Sequence, residues 1–186
     1  QEIVINKMCD IVDKVSKSNN NVPLSLLIVG KSGVGKTFLE KEYSKLFYNE
    51  KSIIKLDMSE YSDDSSISKI LGVNAGYVGY KDLVSLCDKV RRNSYSVLFI
   101  NNIEYASKKV LQLFSGILED GYLIDSSNEK VDFRNTVMFF ETNYGCEQSN
   151  IGFSTSNVDS LLIKDVIGEE MFSKFSGILR FRDLNR

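Results

Sequence analysis

Residues 30–37 read GKSGVGKT, a spacing of glycine, four residues, glycine, lysine and threonine that meets the needs of a polyphosphate. The glycines let the backbone wrap so tightly that successive N–H groups converge on phosphate oxygens. Lys36 brings a positive charge to the β- and γ-phosphates, and Thr37 a hydroxyl for Mg²⁺. An apolar run, LSLLIV at 24–29, precedes the loop, and Leu39, Tyr43, Leu46 and Phe47 follow it at helical spacing. The loop is therefore predicted to join a strand to a helix whose N-terminus adds its partial positive charge. Gly30, Lys31, Ser32, Gly33, Val34, Gly35, Lys36 and Thr37 are the candidate nucleotide-binding residues, with ATP or ADP and Mg²⁺ as the cofactors.

A second chemical signal is a loss. Residues 98–107, LFINNIEYAS, form an apolar run that ends in Asn101 and Asn102, where a buried strand that handles a metal or a water usually ends in acids. An amide oxygen accepts hydrogen bonds but is no base at neutral pH. Histidine is absent, which excludes Ser-His and Cys-His nucleophile systems. Cys9, Cys87 and Cys146 are odd in number and far apart, so neither a disulfide framework nor a zinc site is expected, and a reducing compartment fits.

The elements that must hold these residues follow from periodicity. Val4, Met8, Ile11, Val12 and Val15 predict an amphipathic helix that stops at a polar run. Residues 52–57 (SIIKLD), 96–100 (SVLFI), 136–142 (TVMFFET) and 177–181 (GILRF) predict four further strands, apolar enough to be covered on both faces. Between them, Ile67, Ile70 and Leu71, then Leu83, Val84, Cys87 and Val90, then Val110, Leu111, Phe114, Ile117 and Leu118 predict helices. That alternation predicts right-handed crossovers and a five-stranded parallel α/β sheet. Residues 120–133 predict an inserted hairpin, with Asp120-Gly121 and SSNEK as its turns.

At 186 residues, 42% apolar, 26% charged and with a net charge of −2, the chain reads as one globular domain, residues 1–186. No basic surface for nucleic acid is implied, no apolar stretch approaches the roughly 20 residues that cross a bilayer, and residues 1–15 carry no signal-peptide pattern. Ala75 and Ala106 are the only alanines and Pro23 the only proline, while Lys, Asn, Ile and Tyr abound, a preference that follows A/T-rich codons.

Seven stretches together resemble the second ATPase module of the Clp class of AAA+ unfoldases, ClpC- and ClpA-like members in particular. They are GKSGVGKT, LDMSEYSD, LGVNAGYVGYKD, VRRNSYSVLF, LEDGYLIDS, VDFRNTV and ETNYG, in the family's order and spacing. The resemblance implies the P-loop large subdomain of that module. It also implies a hexameric ring of Clp ATPase subunits, nucleotide between neighbours, and unfolded proteins threaded through a central pore. Gly76, Tyr77, Val78 and Gly79 match its pore loop, where an aromatic between glycines grips the moving chain. Ile151, Gly152 and Phe153 resemble the loop by which such members dock on the ClpP peptidase. Asn143 matches the sensor that orients water or the γ-phosphate.

The departures are selective. The family has Asp-Glu where this chain has Asn101 and Asn102; the Asp helps hold Mg²⁺ through its water shell and the Glu polarises the attacking water. Lys174 stands where the family places an arginine finger, keeping the charge but not the planar fork. The sequence ends at Arg186, before the helical lid that in the family brings another arginine. Glu141 replaces the family's small hydroxyl residue two positions before Asn143 and so on the same side of the strand, where it is a candidate to lend a carboxylate; Glu104 resembles a residue already present in the family.

The expectation is a module that binds ATP but hydrolyses it poorly or not at all, as a structural or regulatory ring subunit of a Clp protease. The alternatives are an active unfoldase that feeds ClpP and a scaffold that no longer binds nucleotide. Codon bias and ClpC-like motifs together predict a plastid-encoded protein, as in an apicoplast, located in the stroma.

Overall fold

Five runs pair side by side: residues 24–29, 97–101 and 137–142 are buried on both faces, whereas the edge runs 53–57 and 177–180, also predicted to be covered on both, keep one face partly open. The computed structural model describes residues 2–17, 21–47, 52–73, 84–144 and 155–181. In chain order the elements are α1 (Glu2–Lys17), β1 (Leu24–Val29), α2 (Lys36–Phe47), β2 (Ile53–Asp57), α3 (Ile67–Leu71), α4 (Leu86–Arg92), β3 (Val97–Asn101), α5 (Lys108–Asp120), β4 (Tyr122–Ile124), β5 (Lys130–Asp132), β6 (Val137–Thr142), α6 (Thr155–Ile167), α7 (Glu169–Lys174) and β7 (Gly177–Arg180). The main sheet has the order β2-β3-β6-β1-β7, and its pairings are all parallel.

Alternate residues of each strand enter opposite cores. Leu27, Val29, Leu98, Ile100, Met138 and Phe140 pack with side chains of α3 to α7, whereas Leu26, Ile28, Val97, Phe99 and Phe139 pack with α1 and with Leu39 and Tyr43 of α2. Odd-numbered residues of β2, β3 and β6 thus face α2. That parity carries Lys55, Asn101 and Glu141 toward the helix that begins at Lys36.

The sequence expectation of a five-stranded parallel sheet with an inserted hairpin agrees with this topology, and β4 pairs antiparallel with β5 from Tyr122↔Asp132 to Ile124↔Lys130. Strand ends shift by single residues, and two boundaries differ by more. The apolar spacing from Leu83 predicts a helix that starts there, but α4 starts at Leu86. Ser85 accepts from the Asp88 N–H and the Asp88 side chain accepts from the Ser85 N–H, a capping box that stops the helix from extending backward. Val84 is left 43% exposed before it, and Leu83 lies outside the described residues. Gly121, predicted as a hairpin turn, ends α5 instead, at φ 75° with its N–H donating to the Ile117 carbonyl. α6 is not predicted by the sequence reading, because its first turn, TSNVDS, carries little apolar periodicity. Its Ile163 and Ile167 nevertheless join the larger core.

Gly121 also sets a close approach. A Cβ there would lie 2.5 Å from the Asn21 carbonyl oxygen and 2.6 Å from Arg134 Cγ. Arg134 cannot swing aside freely, since it donates to Asp132 and to Asn21 Oδ1. Gly121→Ala is expected to cost at least the ~1–2 kcal/mol of a left-handed alanine, seen as a fall of about 2–8 °C in the thermal midpoint by calorimetry. An unchanged midpoint would show that the α5 cap and the Asn21 strap contribute nothing.

Candidate functional site

The carboxyl ends of β1, β3 and β6 meet at one edge of the sheet, where open α/β sheets place their ligands. Gly30 leaves β1 with its N–H donating to the Thr142 carbonyl of β6 at 3.3 Å. A Cβ on Gly30 would come within 2.8 Å of Phe181 Cβ and 3.1 Å of Val34 Cγ2, so this glycine is required for packing. Gly33 and Gly35 take φ of 82° and 103° with nothing near the place a Cβ would occupy. They shape an open cradle whose amides turn toward the N-terminus of α2.

Ser32, Gly33, Gly35, Lys36, Thr37, Phe38, Asn102, Glu141 and Asn143 line a cavity of about 290 Å³ above this cradle. That is the low end for a ligand pocket, the size of a phosphate chain rather than of a whole nucleotide. Lys31 and Val34 stand outside the lining: Lys31 lends its carbonyl oxygen to Lys36 Nζ at 2.8 Å, and Val34 is buried against Gly30. Lys36 is 4% exposed. Its ammonium also donates to the Gly30 carbonyl and, at 2.6 Å, to Asn143 Oδ1, and it pairs with Glu141 Oε1 at 3.4 Å.

The two amides at the end of β3 differ. Asn101 does not line the cavity, and its Oδ1 is buried with no hydrogen-bond partner among the described residues. Asn102 lines the cavity in the left-handed region, φ 58° and ψ 46°, which asparagine enters at lower cost than most residues. Its Nδ2 donates to Asp57 Oδ1 at 3.1 Å, and its Oδ1 accepts from Asn143 Nδ2 at 3.5 Å. The Asn102 amide is the leading cause that holds the Asp57 carboxyl below the ordinary aspartate range.

Sequence reasoning missed two members of this group, Asp57 and Glu40, and named Glu104 without giving it a contact. Asp57 ends β2 beside Asn101 and was legible only as a strand terminus. Glu104 Oε1 accepts the Asn143 N–H at 3.3 Å, so it positions the Asn143 backbone. Glu40, one helical turn after Lys36, is 3% exposed and hydrogen-bonded to Glu141. Burial is the main cause that pushes the Glu40 carboxyl up to about 8; the charge and hydrogen bond of Glu141 add to it, and Lys55 and Lys36 oppose it.

A nucleotide phosphate chain fits these residues: the cradle is open, a buried ammonium points along it, and a helix begins there. For Mg²⁺ the donor set is thin. Among the described residues no group of three or more His, Cys, Asp or Glu side chains comes together to hold a metal. The ion takes few protein ligands beside substrate phosphates, so Thr37 and the unpartnered Asn101 oxygen suit it only as the companion of a bound nucleotide.

Lys174 lies elsewhere, at the end of α7. It donates to Ser115 Oγ at 2.9 Å, Glu119 at 2.6 Å and Glu170 at 2.7 Å. Burial works to lower its pKa, but the hydrogen bonds and charges of the two glutamates outweigh it and hold the ammonium above the ordinary lysine range. The pore-loop residues Gly76, Tyr77, Val78 and Gly79 and the docking-loop residues Ile151, Gly152 and Phe153 lie outside the described residues.

Fold and cradle together define a P-loop module of the AAA+ type. The family model described as AAA domain (Cdc48 subfamily) matches residues 22–179, and the chain belongs to that family, as a Clp-class module. It is 37% identical over 200 residues to the ATP-dependent Clp protease ATP-binding subunit ClpE of Bacillus subtilis (strain 168), covering 100% of this chain and 28% of the relative. To the ClpL subunit of Staphylococcus aureus (strain MRSA252) it is 37% identical over 191 residues, 97% of this chain and 27% of the relative. Among solved structures, the S. cerevisiae Hsp104–ADP complex superposes with a TM-score of 0.82 at 32% identity, over 98% of this chain and 33% of that one. A closed state of Hsp104 with ATPγS and FITC casein gives 0.81 at 30% identity, over 96% and 32%. The chain thus spans under a third of the curated relatives it matches.

Proposed function

We propose that this module binds ATP or ADP, with Mg²⁺ as the nucleotide's companion, and hydrolyses ATP slowly or not at all. It serves as a structural or regulatory subunit of a Clp-type ring that passes unfolded proteins to a ClpP-type peptidase. One contrast carries the reading: the cradle, Lys36 and Thr37 are intact, while both positions that should offer acids hold amides, one of them spent on Asp57 and Asn143. Mg²⁺, when bound, would neutralise charge on the β- and γ-oxygens. Lys36 and the loop amides hold the phosphates, Asn143 orients what lies beyond them, and Asn102 has no pair of electrons basic enough to take a proton from water. Glu141 lines the cavity with its carboxylate beside Lys36 and Glu40. The pore-loop and docking-loop sequences and the relatives' names support the ring and peptidase partnership. The A/T-rich codon preference supports a plastid stroma.

The test joins binding to turnover. ADP at about 100 times its Kd should raise the thermal midpoint by about 5–10 °C, Lys36→Ala should abolish that rise, and steady-state phosphate release should stay below about 1 s⁻¹. A faster rate refutes the hydrolysis-deficient part; an absent shift refutes nucleotide binding and favours the scaffold.

A further inference from the structure

Behind the phosphate loop the buried Lys36 ammonium and Glu40 carboxyl meet the half-buried carboxyl of Glu141. Lys36 and Glu40 lie one turn apart on the inner face of α2, and Glu141 reaches them from β6, 3.4 Å from Lys36 Nζ. Glu141 faces this way because strand parity puts it on the same side as Phe139, against α2. Its oxygen therefore adds an opposing charge beside the ammonium, whose hydrogens go to the Gly30 and Lys31 carbonyls and to Asn143 Oδ1. Glu40 bonds to Glu141 on one side, while its Oε1 is buried with no partner among the described residues. A carboxylate with a stranded oxygen, next to a second carboxylate, is costly; a carboxylic acid that donates to Glu141 is not.

Resting on the nucleotide-binding reading above, we propose that Glu141 is an internal competitor for Lys36 and that Glu40, by keeping its proton, decides whether the phosphate site accepts a polyphosphate anion. With Glu40 protonated, the cluster of Lys36, Glu141 and Glu40 is neutral, and a phosphate can draw Lys36 away from Glu141. With Glu40 ionised, one further negative charge stands behind the cradle and opposes the ligand, with Lys55 offsetting part of it. Binding then requires one proton from solvent. A separate cleft of about 170 Å³ opens beside Glu40, floored by Ile53 and Phe99 and rimmed by Lys41, Lys45 and Lys55, and it gives that proton a route that does not cross the phosphate site. The charged groups that face Glu40 are Lys36, Lys41 and Lys45 from its own helix, Lys55 from β2 and Glu141 from β6.

The sign follows from where the proton resides. Below about 8 Glu40 holds it in the free protein, so affinity is flat with pH; above that value the free protein loses it and the complex retains it. Kd for ADP then rises by up to about tenfold per pH unit, the limit for one linked proton. The ligand does not contribute, since a terminal phosphate loses its last proton near pH ~6.

The experiment titrates ADP in EDTA, so that no cation enters, by calorimetry from about pH 7 to about pH 9.5, below the ordinary lysine range. Three proteins are compared, the wild type, Glu40→Gln and Glu141→Thr, each checked for its fold by far-UV circular dichroism at every pH. The wild type should lose affinity above about pH 8 and, in buffers of different ionisation enthalpy, take up close to one proton per ADP. Glu40→Gln should bind with an affinity that stays flat from about pH 7 to about pH 9.5 and with no proton uptake. Glu141→Thr should bind at least about tenfold more tightly at about pH 9, with the competing charge removed. A flat wild-type profile, or a slope that persists in Glu40→Gln, overturns the gate while leaving nucleotide binding intact. No ADP binding by the wild type at any pH overturns the nucleotide-binding reading and the gate with it.

Discussion

Restoring both acids, Asn101→Asp with Asn102→Glu, is expected to raise steady-state ATP turnover by ~10²–10⁴, the usual worth of a positioned base. The structure says what stands in the way. Asn102 is in the left-handed region, where glutamate pays about 1–2 kcal/mol that asparagine largely avoids. Its Nδ2 also lies 3.1 Å from Asp57 Oδ1, so a carboxylate there meets a like charge instead of donating a hydrogen bond. That repulsion raises the new acid's pKa, which makes it a better base but a poorer fit. The double variant should therefore gain activity and lose about 2–8 °C in its midpoint. Phosphate release with saturating ATP and Mg²⁺ measures the first, calorimetry the second. If turnover does not move while ADP still binds, the missing acids are not what limits this site.

Lys174→Arg in that acid-restored background should add up to ~10³–10⁵, provided the protein assembles into rings so that the side chain reaches a neighbour's nucleotide. Lys174 is held within its own subunit by Ser115, Glu119 and Glu170. The two glutamates are largely exposed, at 62% and 78% of their side chains, and exposed pairs bind weakly. They park the cation without locking it. An arginine at 174 can leave them for a γ-phosphate and meet it with two parallel hydrogen bonds, which lysine cannot do. Effects of groups that act as a unit do not add, so the single Lys174→Arg change should do little by itself. Rings of the triple variant that turn over no faster than the acid-restored protein would show that residue 174 is not a finger position.

Much of this was legible without coordinates. Continuous apolar runs at residues 24–29, 96–100 and 136–142 gave themselves away as doubly buried strands, since a strand with one wet face would alternate. GKSGVGKT placed the phosphate site for the same local reason: Gly33 and Gly35 adopt positive φ within the loop with nothing close to them. Boundaries were less legible, because they turn on single hydrogen bonds such as the Ser85 cap that starts α4. α6 escaped because its helix is stabilised by burial of Ile163 and Ile167 against distant residues rather than by its own pattern.

The sequence by itself determined the class of fold, the cradle and the two amides at the end of β3, all of them properties of residue type and short-range spacing. The tertiary structure alone decided that Glu141 stands beside Lys36, that Glu40 is driven to hold a proton, and that Asn102 spends its amide on Asp57. Residues 36 and 141, like 57 and 102, lie on separate elements that only the parallel sheet brings edge to edge. Charge, desolvation and hydrogen-bond supply act over a few ångströms of space, and no spacing along the chain reports them.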